Sequence, residues 1–215
     1  MTRFARGERE RLADLLVAAG PQAPTLCAGW TTADLAAHLV LRERRPDAAA
    51  GIRITPLAGW TERVQRGYAR RPYGELVELF RSGPPAVSPF ALPGADEAAN
   101  LVEYFVHAED VRRAVQGWRQ EEVAAPLADA LWRRLPMLAR LEAGRKSPVQ
   151  LVLERPDGRS VTVAHRTAPT VHLTGEPGEL VLFAYGRGAR TSLSVHGPET
   201  AVAALRKALP LPGPR

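Results

Sequence analysis

Residues 95–115 read ADEAANLVEYFVHAEDVRRAV, a stretch in which apolar residues cover most of a predicted long helix. A polar stripe crosses that surface at spacings of three and four residues, formed by Asp96, Asn100, Glu103, His107 and Asp110. With about 3.6 residues per turn, these side chains share about a quarter of the helix circumference. Because burying several ionisable groups together is costly without a compensating charge, the stripe points to a bound metal ion.

A shorter polar stripe is predicted on an earlier helix. Asp34, His38 and Arg42 recur every fourth residue, and the other neighbours of His38 are apolar. Two helices that turn such stripes inward can bring His38, Glu103 and His107 to one ion, as metal-binding helix bundles do. Two histidines and one glutamate leave a coordination position for water or substrate, which is typical of catalytic zinc. The sequence therefore predicts a divalent metal site, with zinc as the preferred ion.

Each part of this pattern also has a plainer explanation. His38 alone could be a hydrogen-bonded core histidine, and Glu103 with His107 could be a surface pair one turn apart. Asn100 and Asp110 are candidates to orient the ligands from behind, or else ordinary polar residues of a helix surface. The metal interpretation is favoured because the pair lies in an apolar helix.

Composition and charge limit the function classes. The chain has 215 residues, a net charge of +6 and a single cysteine, Cys27. The basic residues are dispersed, which does not favour nucleic-acid binding, and no apolar run reaches the roughly 20 residues of a membrane helix. Without a secretory signal, the chain is expected to be cytoplasmic. Cys27 is expected to be a small packing residue, with a reactive thiol near the metal as the alternative.

Periodicity and turn signals divide the chain into a helical part and a mixed part. Helices are predicted at 4–19, 32–43, 60–70, 73–80, 95–115, 123–141, 177–185 and 199–208, and strands at 150–154, 160–164, 170–174 and 191–196. The local signals include the stop Gly20-Pro21, a capping box at Thr31 and Asp34, and the hairpin turn Pro156-Asp157-Gly158. We predict an α+β protein, with a helical bundle at 1–145 and a small α/β domain at 146–215.

Two segments resemble the motifs of a known family. Residues 25–31 (TLCAGWT), with Asp34-Leu35 and His38-Leu39, resemble the first motif of the mycothiol-dependent maleylpyruvate isomerase family, and residues 103–114 (EYFVHAEDVRRA) resemble its second motif. That family belongs to the DinB-like superfamily of metal-binding four-helix bundles. The resemblance implies a DinB-like four-helix bundle followed by a small sterol-carrier-like domain. It also places the metal ligands at His38, Glu103 and His107.

The resemblance further implies a class of activity. Residues 42–48 (RERRPDA) resemble an actinobacterial metal-binding subgroup whose reaction is not assigned. We therefore expect a metal-dependent transferase or isomerase that uses mycothiol or a similar low-molecular-weight thiol on a small electrophilic substrate. Arg187 matches a Gly-Arg position implied to serve the active site, with a helix-capping or solvent-exposed role as the alternative.

Two other functions stay open at this point. A non-catalytic protein would keep the metal for stability and bind an apolar ligand or a protein partner. Metal-assisted hydrolysis would use the same three ligands, so the sequence does not separate it from thiol transfer. A homodimer formed through the bundle is compatible with the sequence.

Overall fold

The computed structural model describes residues 4–52, 54–92, 94–164 and 167–213. The chain forms two compact units, Met1–Trp118 and Arg119–Arg215. The first unit contains helices α1 (Phe4–Ala19), α2 (Thr32–Arg44), α3 (Pro46–Ala49), α4 (Ala58–Ala69), α5 (Tyr73–Arg81) and α6 (Ala95–Arg112). Helix α1 packs against α5 and α6, and α2 packs against α4 and α5. The consecutive helices α4 and α5 are separated at Pro72, and together with α1, α2 and α6 they form the helical bundle.

The bundle core is built from apolar positions at helical spacing. Leu12 and Leu16 lie one turn apart on α1, and both are fully buried. They join Leu35 of α2, Phe80 of α5 and Tyr104 of α6 in one cluster. Because one stripe of each helix faces this cluster, the amphipathic pattern determines which side of α2 and α6 points inward.

A capping box determines where α2 begins. The Thr31 side chain accepts a hydrogen bond from the backbone N–H of Asp34, and the Asp34 carboxylate accepts one from the backbone N–H of Thr31 at 3.0 Å. The predicted capping box is therefore confirmed. Since this cap satisfies two N–H groups at the helix end, it stabilises α2 at the register that buries His38.

The second unit combines a four-stranded sheet with helices. Its elements are α7 (Ala125–Ala139), β1 (Gln150–Glu154), β2 (Ser160–Ala164), β3 (Thr170–Thr174), α8 (Pro177–Leu182), β4 (Ser194–His196) and α9 (Glu199–Ala208). The strand order is β2-β1-β3-β4, with β1 parallel to β3 and the outer pairs antiparallel. Helices followed by this sheet confirm the predicted α+β class.

The boundary between the units lies earlier than the predicted boundary at residue 145. Helix α7 packs against α8 and β2, so it belongs to the second unit rather than to the bundle. Strand β4 is also shorter than the predicted strand at 191–196. The Thr191 hydroxyl donates to the carbonyl of Gly188 at 2.7 Å, and the Ser192 N–H donates to Glu179 at 2.7 Å, which diverts this segment from the sheet.

None of the helices in the described ranges is both long enough and apolar enough to span a membrane.

Candidate metal centre

Three donor atoms from two helices converge inside the bundle. Glu103 Oε1 lies 3.6 Å from His38 Nε2 and 3.2 Å from His107 Nε2. One ligand atom from each of the three residues lies within 4.8 Å of the other two. A tetrahedral zinc ion with N and O ligands separates its donors by about 3.3–3.6 Å. The structure thus brings together the three predicted ligands, and the two distances from Glu103 to the histidines are close to those between donors of a zinc ion.

The hydrogen bonding of His107 supports the same interpretation. Its Nε2 faces the Glu103 carboxylate, while its Nδ1 lies 3.0 Å from Asp110 Oδ2. A protonated imidazolium would donate to both carboxylates, whereas a neutral imidazole carries one N–H and donates to only one of them. With the proton on Nδ1, the lone pair of Nε2 is available to a cation, an arrangement in which a carboxylate orients a histidine ligand. Asp110, which is fully buried, therefore fits its predicted orienting role.

Burial and hydrogen bonding shift the pKa values of the three proposed ligands in different directions. Burial lowers the pKa of His38, which favours the neutral imidazole that metal binding requires. Burial alone would raise the pKa of Glu103, but its hydrogen bonds with His107 and His38 hold that pKa well below its usual value. Burial would lower the pKa of His107, yet Asp110, Cys27 and Glu103 raise it well above normal. An ion at Nε2 would therefore compete with a proton on His107.

Asn100 reaches the site indirectly. Arg42 Nε lies 3.5 Å from Glu103 Oε1, and its Nη1 donates to Asn100 Oδ1 while Nη2 donates to the carbonyl of Ala99 at 3.2 Å. Asn100 Nδ2 in turn donates to Asp96 Oδ1 at 2.7 Å. Asn100 therefore holds Arg42, and Arg42 contacts the ligand Glu103. The sequence pattern predicts Arg42 on the inward stripe of its helix but indicates no role for it.

The N-terminal part of the polar stripe is compensated by an arginine. Arg9 Nη2 lies 2.9 Å from Asp96 Oδ1 and 3.1 Å from Glu43 Oε1, and it donates to the Tyr104 hydroxyl at 3.0 Å. The Asp34 carboxylate accepts hydrogen bonds from the backbone N–H and the hydroxyl of Thr31, so the cap of α2 occupies it. The direct contacts of the candidate metal centre on this helix are therefore made by the C-terminal half of the long stripe, from Glu103 to Asp110.

No fourth His, Cys, Asp or Glu joins the set of His38, Glu103 and His107 in the part of the chain that the structure describes. Asp110 does not close this set, because its Oδ2 contacts Nδ1 of His107, the ring nitrogen that faces away from Glu103. Three protein ligands are typical of a catalytic zinc site, where the remaining position takes water or substrate.

The segment between α1 and α2 contacts both histidines. Cys27 Sγ lies 3.2 Å from Asp110 Oδ2 and 3.9 Å from His107 Nδ1, and the Trp30 ring centroid lies 5.0 Å from that of His38. Cys27 has no His or Asp among its immediate neighbours in the sequence, so the local pattern gives no sign of this contact. The contact was missed because it joins residues 83 positions apart.

Arg187 lies in the second unit, directly after Gly186, whose φ is +82°. Its Nη1 donates to the carbonyl of Tyr185 at 2.7 Å. This bond is compatible with a local structural role. The predicted role of Arg187 toward a substrate stays a prediction.

Comparison with known proteins gives a structural match only. No protein-family model matches the sequence, and no curated protein matches it. Among solved structures, the crystal structure of the mycothiol-dependent maleylpyruvate isomerase matches with a TM-score of 0.58 at 15% sequence identity, over 89% of this chain and 90% of that chain. A histidine-to-alanine mutant of the isomerase matches with a TM-score of 0.59, at the same identity and coverage. The chain therefore shares the fold of the mycothiol-dependent maleylpyruvate isomerase, as the sequence resemblance predicts.

Proposed function

We propose that this chain is a divalent-metal-dependent enzyme that uses a low-molecular-weight thiol, of the mycothiol type, to isomerise or modify a small electrophilic substrate. The observation that carries the proposal is the convergence of His38, Glu103 and His107 without a fourth side-chain ligand among the residues described. A metal that only stabilises a fold is usually closed by four protein ligands, whereas a catalytic site keeps a position for a reactant.

Each side chain has a distinct part in this proposal. His38 and His107 would hold the ion as neutral imidazoles, and the ionised Glu103 would offset part of its charge. Asp110 would keep the proton of His107 on Nδ1, so that Nε2 faces the ion. When bound, a divalent ion such as Zn²⁺ supplies Lewis-acid chemistry that lowers the pKa of a thiol or water at the open position.

The choice of a thiol over water rests on the shared fold. The matched structures are those of a mycothiol-dependent maleylpyruvate isomerase. With 15% identity, the fold is shared but the substrate is not transferred. We therefore propose the reaction class, thiol-dependent isomerisation or transfer, and do not propose maleylpyruvate as the substrate of this chain.

The proposal is tested by turnover of small electrophiles, including α,β-unsaturated carboxylates, by the zinc-loaded protein with and without mycothiol. We expect turnover that requires the thiol and is lost in Glu103→Gln, because the substitution removes a charged ligand. Equal rates without the thiol would contradict thiol dependence and favour metal-assisted hydrolysis. No turnover of any electrophile, together with a metal-dependent rise in stability, would favour a non-catalytic binding protein.

Arg187 is proposed to bind a carboxylate of the substrate, since a guanidinium can bind a carboxylate through two hydrogen bonds. In the same assay we expect Arg187→Ala to raise KM while metal content stays unchanged. Arg190→Ala, a change of another arginine close by in the sequence, is the matched control. Equal kinetics for the two variants would show that Arg187 has no special role in binding substrate.

A further inference from the structure

Cys27 contacts Asp110 and His107, one of the proposed metal ligands, rather than lying in the apolar core. We propose that Cys27 is a positioning residue for His107 that acts through Asp110, an inference that rests on the proposed metal centre. Its thiol donates to Asp110 Oδ2 at 3.2 Å, and the same oxygen lies 3.0 Å from His107 Nδ1. The thiol and the imidazole thus share one carboxylate oxygen as acceptor.

Backbone hydrogen bonds determine where the sulfur lies. The N–H of Leu26, the residue before Cys27, donates to the backbone carbonyl of Asp110 at 3.1 Å. The N–H of Cys27 donates to the Thr25 hydroxyl at 3.1 Å, and that hydroxyl donates to the carbonyl of Trp30 at 2.9 Å. The segment is therefore attached to α6 beside Asp110, so the position of the thiol does not depend on its own side-chain torsion alone.

The shared acceptor explains how Cys27 could act on His107. Asp110 is fully buried, so water does not replace a lost hydrogen-bond donor at its carboxylate. Two donors at one oxygen hold the carboxylate in one orientation, and that orientation directs the N–H of His107. Without the thiol, this oxygen loses one of the donors that orient the carboxylate, and the ring is held less firmly with Nε2 toward Glu103.

A direct role of the sulfur as a metal ligand is the main alternative. Cys27, His107 and Asp110 also offer donor atoms within 4.8 Å of one another. Such a site would use His107 Nδ1, whereas the predicted site uses Nε2 together with His38 and Glu103. A metal-bound sulfur must be a thiolate, whereas a protonated thiol that donates to Asp110 Oδ2 satisfies the 3.2 Å contact without an ion. The geometry therefore favours the positioning role.

Cobalt binding separates these roles, because Co²⁺ replaces zinc and its visible spectrum reports ligand geometry. We expect Cys27→Ala to weaken Co²⁺ binding about tenfold. This is the lower end of the roughly 10–100-fold losses found when residues that hydrogen-bond to metal ligands are replaced, because a thiol is a weak donor. The visible bands of bound Co²⁺ should also shift. Cys27→Ser retains a donor and should recover most of the affinity and the wild-type spectrum.

Two further variants test the route through Asp110 and the effect of packing. In an Asp110→Asn background, Cys27→Ala should have no additional effect on Co²⁺ affinity, because the two residues act on His107 in series. Val77→Ala is the packing control, since Val77 is buried in the core on α5. It should lower Tm and leave Co²⁺ affinity unchanged.

Three results would overturn the inference. Wild-type affinity and spectrum in Cys27→Ala would show that Cys27 only packs. A strong thiolate-to-cobalt charge-transfer band in the wild type, absent in Cys27→Ser, would show that sulfur is a ligand. If the wild type binds no Co²⁺, the proposed metal centre is refuted as well. That outcome differs from one in which the wild type and Cys27→Ala bind Co²⁺ equally, which would refute only the role of Cys27.

Discussion

Arg9→Met is expected to lower the free energy of unfolding of the helical unit by about 3–5 kcal/mol, the typical cost of removing one partner from a buried ion pair. Arg9 is only 6% exposed and lies between Glu43 and Asp96, with Tyr104 as a further partner. Without the guanidinium, Glu43, which is 1% exposed, loses the cation that compensates its charge. Because typical domains are stable by about 5–15 kcal/mol, this loss should be visible as a large shift in a urea transition.

Two comparisons isolate the buried charge. Arg9→Met combined with Glu43→Gln should recover much of the loss, since both charges are then absent. Arg81→Met removes an arginine whose carboxylate partners Glu10, Asp14 and Glu78 are exposed, and it should cost about 0–1 kcal/mol. Equal losses for Arg9→Met and Arg81→Met would contradict the account of the buried network.

The pH dependence of the Arg9→Met deficit has a defined sign. Burial raises the pKa of Glu43, and Arg9 opposes that rise. In the variant the pKa of Glu43 should rise further above its unfolded value, so the folded state is favoured by protonation and disfavoured as pH rises. The deficit should therefore be smaller at mildly acidic than at alkaline pH.

Replacing any one of the three proposed ligands should reduce zinc affinity by more than about 100-fold. Replacing residues that only hydrogen-bond to metal ligands typically costs roughly 10–100-fold. Glu103→Gln is the cleanest of these variants, because it keeps the side-chain shape and removes the charge and one strong donor. His38→Ala removes a neutral ligand from the other helix. His107→Ala also leaves the buried Asp110 without its imidazole partner, so we expect an additional loss of stability.

Competition with a chromophoric chelator measures these affinities. His196→Ala is the matched control, since it removes an exposed histidine from β4 in the second unit. It should bind zinc as the wild type does. Wild-type affinity in Glu103→Gln would contradict the proposed ligand set, because this substitution removes the carboxylate and otherwise keeps the shape of the side chain.

Local signals in the sequence predict most of the secondary structure. Helix α1 ends where Gly20-Pro21 interrupts the apolar period, and α2 begins at the capping box of Thr31. The hairpin turn at 156–158 places Gly158 at a φ of +86°, a conformation that favours glycine, between strands β1 and β2 at their predicted bounds. Each of these signals acts over a few residues, which is why it is legible without the structure.

Which helices and strands pack against one another was harder to predict from the sequence. The apolar face of α7 shows that the helix packs, but not whether it packs in the bundle or on α8 and β2. The spacing of the long stripe likewise gave five polar residues on one face. It could not show that Asp96 is paired by Arg9 on α1, whereas Glu103 and His107 face His38 on α2.

The proposed ligands of the candidate site could be predicted from the sequence, but the residues that contact those ligands could not. Glu103 and His107 are one helical turn apart, so their proximity follows from the helix alone. The contacts of Arg42 and Cys27 depend on how α2 and the segment before it lie against α6. Such long-range contacts have no periodic signature in the chain.

The most direct test of the metal centre is X-ray absorption at the zinc edge on wild-type protein reloaded with zinc and freed of excess ion. We predict about one bound zinc per chain, a coordination shell of nitrogen and oxygen at about 2.0–2.2 Å, and the outer scattering of two imidazoles. A protein that retains no zinc, or a shell that contains sulfur at about 2.3 Å, would contradict a site made by His38, Glu103 and His107.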